Sequence, residues 1–212
     1  MPRPMTEVPM QKPLTVVALS LLLAACQSAP PIRYYTLVPP KSGEAVAAAQ
    51  DPAYRVIVET VSIPAQVDTP YLIVREGRSQ LQPAEEQRWA APLADEVRAA
   101  LIDGLGATAT GPGSAADSTL PLYRLRVVLR RFDSVLGRQA LVDAGWTVES
   151  LHDPARAATC DSQVAASIAD GFPALADGHQ RAMADLAHRI STGLDTLQAG
   201  KTAEVCVAAN SG

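Results

Sequence analysis

The sequence predicts an α/β chain of the α+β kind: a mixed, mainly antiparallel sheet covered by two amphipathic helices, forming a single domain after a cleaved N-terminal segment. Three observations carry this. Residues 123–133 alternate, with Tyr123, Leu125, Val127 and Leu129 on one side and Arg124, Arg126 and Arg130 on the other, which is the period of a strand with one apolar and one basic surface. Residues 139–149 alternate in the same way, Val142, Ala144, Trp146 and Val148 against Asp143, Thr147 and Glu149. A turn near Gly137 pairs these runs apolar to apolar and basic to acidic. Leu175, His179, Met183, Leu186, Ile190, Leu194 and Leu197 then recur every three or four residues, the stripe of a long helix that covers a sheet.

The N-terminus sets the compartment. Arg3 and Lys12 precede an apolar run from Leu14 to Leu23 broken only by Thr15 and Ser20, and Ala24-Ala25-Cys26 follows. That is the positive, apolar and small-residue order of a signal peptide. The run is half the roughly 20 residues a helix needs to cross a bilayer, so residues 1–25 read as a processed leader and not as a span. Met10 is an alternative start, because Met10-Gln11-Lys12 supplies a positive end by itself. Leu23-Ala24-Ala25-Cys26 resembles the bacterial lipobox, which implies acylation of Cys26; the rival reading is an ordinary secretory signal with a cysteine nearby. Several acyl chains on one residue anchor stably where one does not. Gln27 after the cysteine implies sorting to the outer membrane, since Asp is the usual inner-membrane retention signal. Residues 27–33, with Ser28, Pro30 and Pro31, complete a short tether, and 34–208 form the domain.

Between tether and helix the elements follow in order. Tyr34-Tyr35-Thr36-Leu37-Val38 is strand-like, and 39–52 is a loop rich in Pro, Gly and Ala. Residues 54–63 read as a central strand buried on both sides, Val56 and Val58 facing one way and Ile57, Val61 and Ile63 the other, ended by Pro64. Residues 71–75 and 79–82 make a hairpin around Gly77. After Pro92, the spacing of Leu93, Val97, Ala100, Leu101 and Leu105 is helical, with Gly104 and Gly106 as stop signals.

Composition excludes more than it assigns. Eighteen Lys and Arg face 22 Asp and Glu, a net charge of −4 that argues against a nucleic-acid partner. With Cys26 acylated, Cys160 and Cys206 remain, and an even pair in an oxidising compartment predicts a disulfide, the rival being two separate buried thiols. The loop so closed would contribute roughly 4 kcal/mol before strain. His152, His179 and His188 form no metal-ligand spacing, and no nucleophile elbow, phosphate-binding loop or dinucleotide fingerprint occurs, so no catalytic residue, metal or cofactor is expected. Asp95-Glu96 and Glu85-Glu86 read as solvated surface, because sequence neighbours on a helix do not face each other.

Tyr34-Tyr35-Thr36-Leu37 after the lipid cysteine, 58–64 leading to Pro70-Tyr71-Leu72-Ile73-Val74-Arg75, Arg88-Trp89-Ala90-Ala91-Pro92-Leu93 opening a helix, and the strands through Phe132-Asp133 and Trp146 together resemble the PqiC-like lipoproteins. These are auxiliary components of ABC-type transporters associated with MCE proteins, which carry lipids between the two membranes of a Gram-negative envelope. The resemblance spans nearly the whole mature chain; Cys160, Cys206 and the Ala/Gly/Pro-rich stretch 105–119 depart from it. It implies a non-enzymatic adaptor on the periplasmic face of the outer membrane, held in the inner leaflet through Cys26, docking an MCE-domain subunit and forming a homo-oligomer. Trp89, the most exposed-looking aromatic, is a candidate partner contact, as are Arg124, Arg126 and Arg130; for Trp89 the alternative is folding back onto the core, and for the arginines it is cross-strand ion pairing. A carrier of an apolar ligand would instead need a cavity in the domain.

Overall fold

The computed structural model describes residues 30–40, 52–113 and 119–210. The expected signal peptide, Cys26 and residues 27–29 of the expected tether lie outside them, as do 41–51 of the predicted loop. From Ile32 onward the described chain belongs to one compact unit. Its elements are β1 (Arg33–Tyr35), β2 (Arg55–Ser62), β3 (Tyr71–Glu76), β4 (Gln80–Trp89), α1 (Leu93–Leu105), β5 (Ala109–Thr110), β6 (Leu122–Val135), β7 (Gln139–Ser150), β8 (Ala157–Ser167), α2 (Phe172–Gln198) and α3 (Val205–Ala209).

The α+β class holds, but the strands form two sheets instead of one. A large sheet runs β5-β2-β6-β7-β8 and a small one β1-β4-β3. In the large sheet β2 lies parallel to β5 and β6, while β6, β7 and β8 are antiparallel neighbours. The β6–β7 pairing follows the alternation in the sequence, with Leu125 opposite Val148 and Val127 opposite Trp146, and Gly137 turns the chain at φ 65°.

One face of the large sheet is the core. Tyr123, Leu125, Val148 and Trp146 present at most 1% of their surface to solvent, and Leu175, Met183, Leu186, Ile190, Leu194 and Leu197 of α2 meet them from above. Each such side chain contributes about 1.5–3 kcal/mol on burial. Beside α2, α1 buries Leu93, Val97, Ala100, Leu101 and Leu105. Gly106, at φ 64°, ends α1, but Gly104 has another role: a Cβ there would lie 2.6 Å from the Ala187 Cβ, so it allows the two helices to approach. Gly193 does the same for α2 against the ring of Trp146, with 2.7 Å to its Cη2.

Two bulges change what alternation predicts. In β2 the register slips at Glu59, which returns Val61 to the buried side with Val56 and Val58, so β2 buries one face and leaves the other partly open. In β6 it slips at Arg130, after which Phe132 and Ser134 point inward. The hairpin strand β4 runs on to Trp89, well past the predicted end at Gln82, and β8 is a strand that the sequence pattern does not announce.

Candidate functional site: an open sheet face and a clasped N-terminal strand

The second face of the large sheet carries the three arginines singled out by the sequence. Arg124 Nε donates to Glu59 Oε1 at 2.9 Å, and Arg126 bridges Glu59 on β2 (3.7 Å) and Glu149 on β7 (2.5 Å). Arg130 meets Asp143 on β7 at 2.5 Å and also Asp161 on β8. The glycine at 145 makes this reach possible, because a Cβ there would fall 3.2 Å from Arg130 Nη1. Both bulged positions, Glu59 and Arg130, are thus the hubs of ion pairs that tie β2 to β8. Such pairs at half-exposed positions are worth about 0–1 kcal/mol each. Their main effect is order: the guanidinium groups are fixed around Val128, which is 52% exposed at the centre of the face.

Trp89 is placed differently from the expectation of an exposed contact. It is 4% exposed, with Phe132 and His179 edge-on to its ring at 6.0 and 6.3 Å. The polar segment before it, 80–88, is a strand of the small sheet, so alternation turns the final indole inward onto the core.

His179 lies beneath it, fully buried and stacked on Phe132 at 4.0 Å, with Nε2 2.8 Å from Ser134 Oγ. Burial lowers its pKa to about 3, against a smaller opposing pull from Asp133, so the ring is neutral at physiological pH. A serine, a histidine and an aspartate therefore lie close together, yet Ser134 is 3% exposed and His179 Nδ1 has no hydrogen-bond partner. Nothing reaches this hydroxyl from solvent, and the group is a packed polar pair. Asp133 faces the opposite way: burial pushes its carboxyl up, but hydrogen bonds from Arg75 (2.7 Å) and Arg131 (2.5 Å) overcome that and hold it below the ordinary carboxylate range.

Glu96, expected on the solvated surface, is instead 5% exposed. From the first turn of α1 its Oε2 accepts from Thr36 Oγ1 at 2.7 Å and from the Leu37 backbone N–H at 2.8 Å, while Gln180 of α2 donates to the Thr36 carbonyl at 3.0 Å. Leu37 is completely buried beside this clasp. The chain emerging from the tether is therefore gripped by both helices as soon as it has paired with β4. No local pattern marks this role, because the two partners lie 59 residues apart in sequence.

At the far edge of the large sheet, Cys160 of β8 is disulfide-bonded to Cys206 of α3, with Cα atoms 5.2 Å apart. Asn210 Nδ2 donates to the Asp161 carbonyl at 2.9 Å, Ser162 Oγ donates to Asn210 Oδ1 at 3.0 Å, and so does Arg189 at 3.0 Å. The C-terminal segment thereby covers part of the exposed edge of β8.

Among the described residues no group of three or more His, Cys, Asp or Glu is arranged to hold a metal ion, and no helix is long and apolar enough to cross a membrane. The clefts among the described residues include a pair with different linings. One, of about 590 Å³, is lined by polar groups including His152, Asp153 and Arg156; the other, of about 330 Å³, lies between Asp68–Pro70 and Trp89–Leu93.

The described residues thus form an α+β domain in which two long helices cover one face of a five-stranded sheet. Residues 35–191 match the family model of the ABC-type transport auxiliary lipoprotein component, and the chain belongs to that family. Its fold is shared with a crystal structure of an uncharacterised protein at 14% identity, TM-score 0.58, covering 78% of this chain and 99% of that one. It is shared also with the crystal structure of XCC0632 from Xanthomonas campestris at 19% identity, TM-score 0.57, covering 82% of this chain and 98% of that one. No curated protein matches the chain.

Proposed function

We propose that this chain is a non-enzymatic adaptor, acylated at Cys26, that holds its domain at the periplasmic face of the outer membrane and docks an MCE-domain subunit of an ABC-type intermembrane lipid transporter, itself assembling as a homo-oligomer. The observation that carries the reading is the open face of the large sheet. Arg124, Arg126 and Arg130 stand there in fixed geometry around exposed Val128, while the opposite face is closed by fully buried Trp146, Tyr123 and the leucines of α2. An apolar centre inside an ordered polar rim is the anatomy of a protein interface. A carrier of an apolar ligand would instead need that core space. Acylation fits this role because a tether spanning Gln27 to Arg33 reaches at most about 25 Å, so encounter with a membrane-fixed partner gains effective concentration.

The test is capture of the MCE-domain subunit by the full lipidated chain against a Val128→Asp/Arg126→Glu variant, together with detergent resistance of a deletion strain. The variant is expected to fold normally and to lose capture and rescue. Retained capture would refute the docking face. Palmitate incorporation into a Cys26→Ala chain would refute the anchor, and full rescue by that unanchored chain at matched periplasmic level would favour a free carrier.

A further inference from the structure

The small sheet carries a row of aromatic and cationic side chains. Register sets Tyr34 of β1 beside Arg88 of β4, and Arg88 beside Tyr71 of β3. Directly paired residues share a face, so the three form a band across three strands. The Arg88 guanidinium lies 5.2 Å from the centre of the Tyr71 ring. Tyr34 is 63% exposed, and Ile32, two residues earlier and on the same side by alternation, is 44% exposed. Arg33, between them, is exposed where the tether enters this edge strand.

The charge of this region also differs from that of the large sheet. On the large sheet Arg124, Arg126, Arg130 and Arg131 each engage a carboxylate, and Arg75 of the small sheet reaches Asp133. Arg33 and Arg88 form no ion pair with a carboxylate among the described residues, and Arg88 Nε, like Arg75 Nε, is buried without a hydrogen-bond acceptor. Exposed Glu85 and Glu86 lie further back on β4 and mark the border of the band. Two tyrosines, an isoleucine and the Arg88 guanidinium, with Arg33 exposed beside them at the strand's entry, lack an anion and a boundary between apolar and wet surroundings. A phospholipid headgroup layer supplies both: its phosphates accept from arginine, and tyrosine is favoured where one end of the ring is apolar and the other wet.

We propose that this band rests on the phospholipid headgroups of the bilayer that holds the chain's own anchor. The inference builds on acylation of Cys26 in the reading above. Only residues 27–32 separate that cysteine from β1, a reach of at most about 20 Å. The edge that receives the tether is thus kept beside the lipid at all times, with Arg88 in the band and Arg33 at the tether's entry.

The experiment uses the full mature lipidated chain carrying Tyr34→Trp, reconstituted in vesicles of phosphatidylethanolamine with a minority of phosphatidylglycerol, part of the lipid being brominated close to the headgroup. Native Trp89 and Trp146 are buried at 4% and 1% exposure, so the unsubstituted chain supplies the background. The indole introduced at position 34 is expected to be quenched and blue-shifted, whereas one introduced by Val128→Trp on the large sheet is not. Adding Arg33→Gln and Arg88→Gln should weaken the contact by roughly fivefold for each arginine removed and release the quenching in proportion. A chain that floats with the vesicles but shows no more quenching from position 34 than from position 128 overturns the contact and leaves the anchor standing. Failure to float overturns both. Quenching at position 34 that survives loss of both arginines overturns the headgroup recognition.

Discussion

Burial of His179 in its neutral form is expected to make stability fall in acid. Its folded pKa, about 3, lies below the unfolded value near 6.5, so below pH 6.5 the unfolded chain binds a proton that the folded chain refuses. Stability attributable to His179 is therefore complete above pH 6.5 and declines as pH falls toward 3. Asp133, held below its ordinary range by Arg75 and Arg131, adds a further decline only when pH falls through the carboxylate range. In urea unfolding, His179→Leu is expected to be less stable than the parent at pH 7, because Ser134 loses its partner, and to show a shallower loss between pH 6.5 and 4. An unchanged slope would mean that another group carries the acid response. Gly193→Ala tests packing at the same scale. Alanine in a helix interior is normally favourable by about 1 kcal/mol over glycine. Here its methyl would lie 2.7 Å from Trp146, so thermal unfolding is expected at lower temperature, by about 1–3 kcal/mol of overpacking.

Elements with strong contrast between their faces are legible in the sequence, and those without it are not. The β6–β7 pair and both long helices follow from large apolar residues at strict spacing. Strand β8 escapes because its inward residues, Ala158, Cys160, Ser162, Val164 and Ala166, are small or polar and give no apolar stripe. Trp89 looks exposed in the sequence because a segment as polar as Gln80–Trp89, with Pro83 inside it, resembles a loop until the small sheet is seen to enclose its end. The basic face of β6 is legible as charge, but the hubs at Glu59 and Arg130 depend on bulges that alternation alone does not reveal. The disulfide belongs to this scale as well, because it fixes α3 against the edge of β8. Cys206→Ser is expected to lower the urea midpoint, by roughly 4 kcal/mol at most on the chain-entropy model. It should also accelerate amide exchange at Asp161 and Gln163, where the edge is uncovered. Parent-like exchange with the bond removed would show that Asn210 and its hydrogen bonds hold the segment alone.

At the scale of the described unit, the segment that leads into the domain is held at Thr36 and Leu37. Glu96 makes that grip with one carboxylate and two donors. Glu96→Ala removes an acceptor from a buried backbone N–H, a loss of about 1–3 kcal/mol. The expected signature is local: faster hydrogen exchange at Leu37 and proteolysis near residues 33–38, with the protection of β6 and β7 unchanged. Uniform loss of protection would instead show that the clasp is part of the global core. On the proposed acylation of Cys26, the arrangement has a mechanical meaning. If the proposed anchor and partner move apart, tension would enter at β1, whose parallel pairing with β4 would bear a pull along the strand axis as shear, with its hydrogen bonds loaded together and not one after another. Behind it the carboxylate of Glu96 and the buried side chain of Leu37 act as a strain relief. The load is taken up at the rim of the fold, before it can reach the sheet face on which a partner would sit.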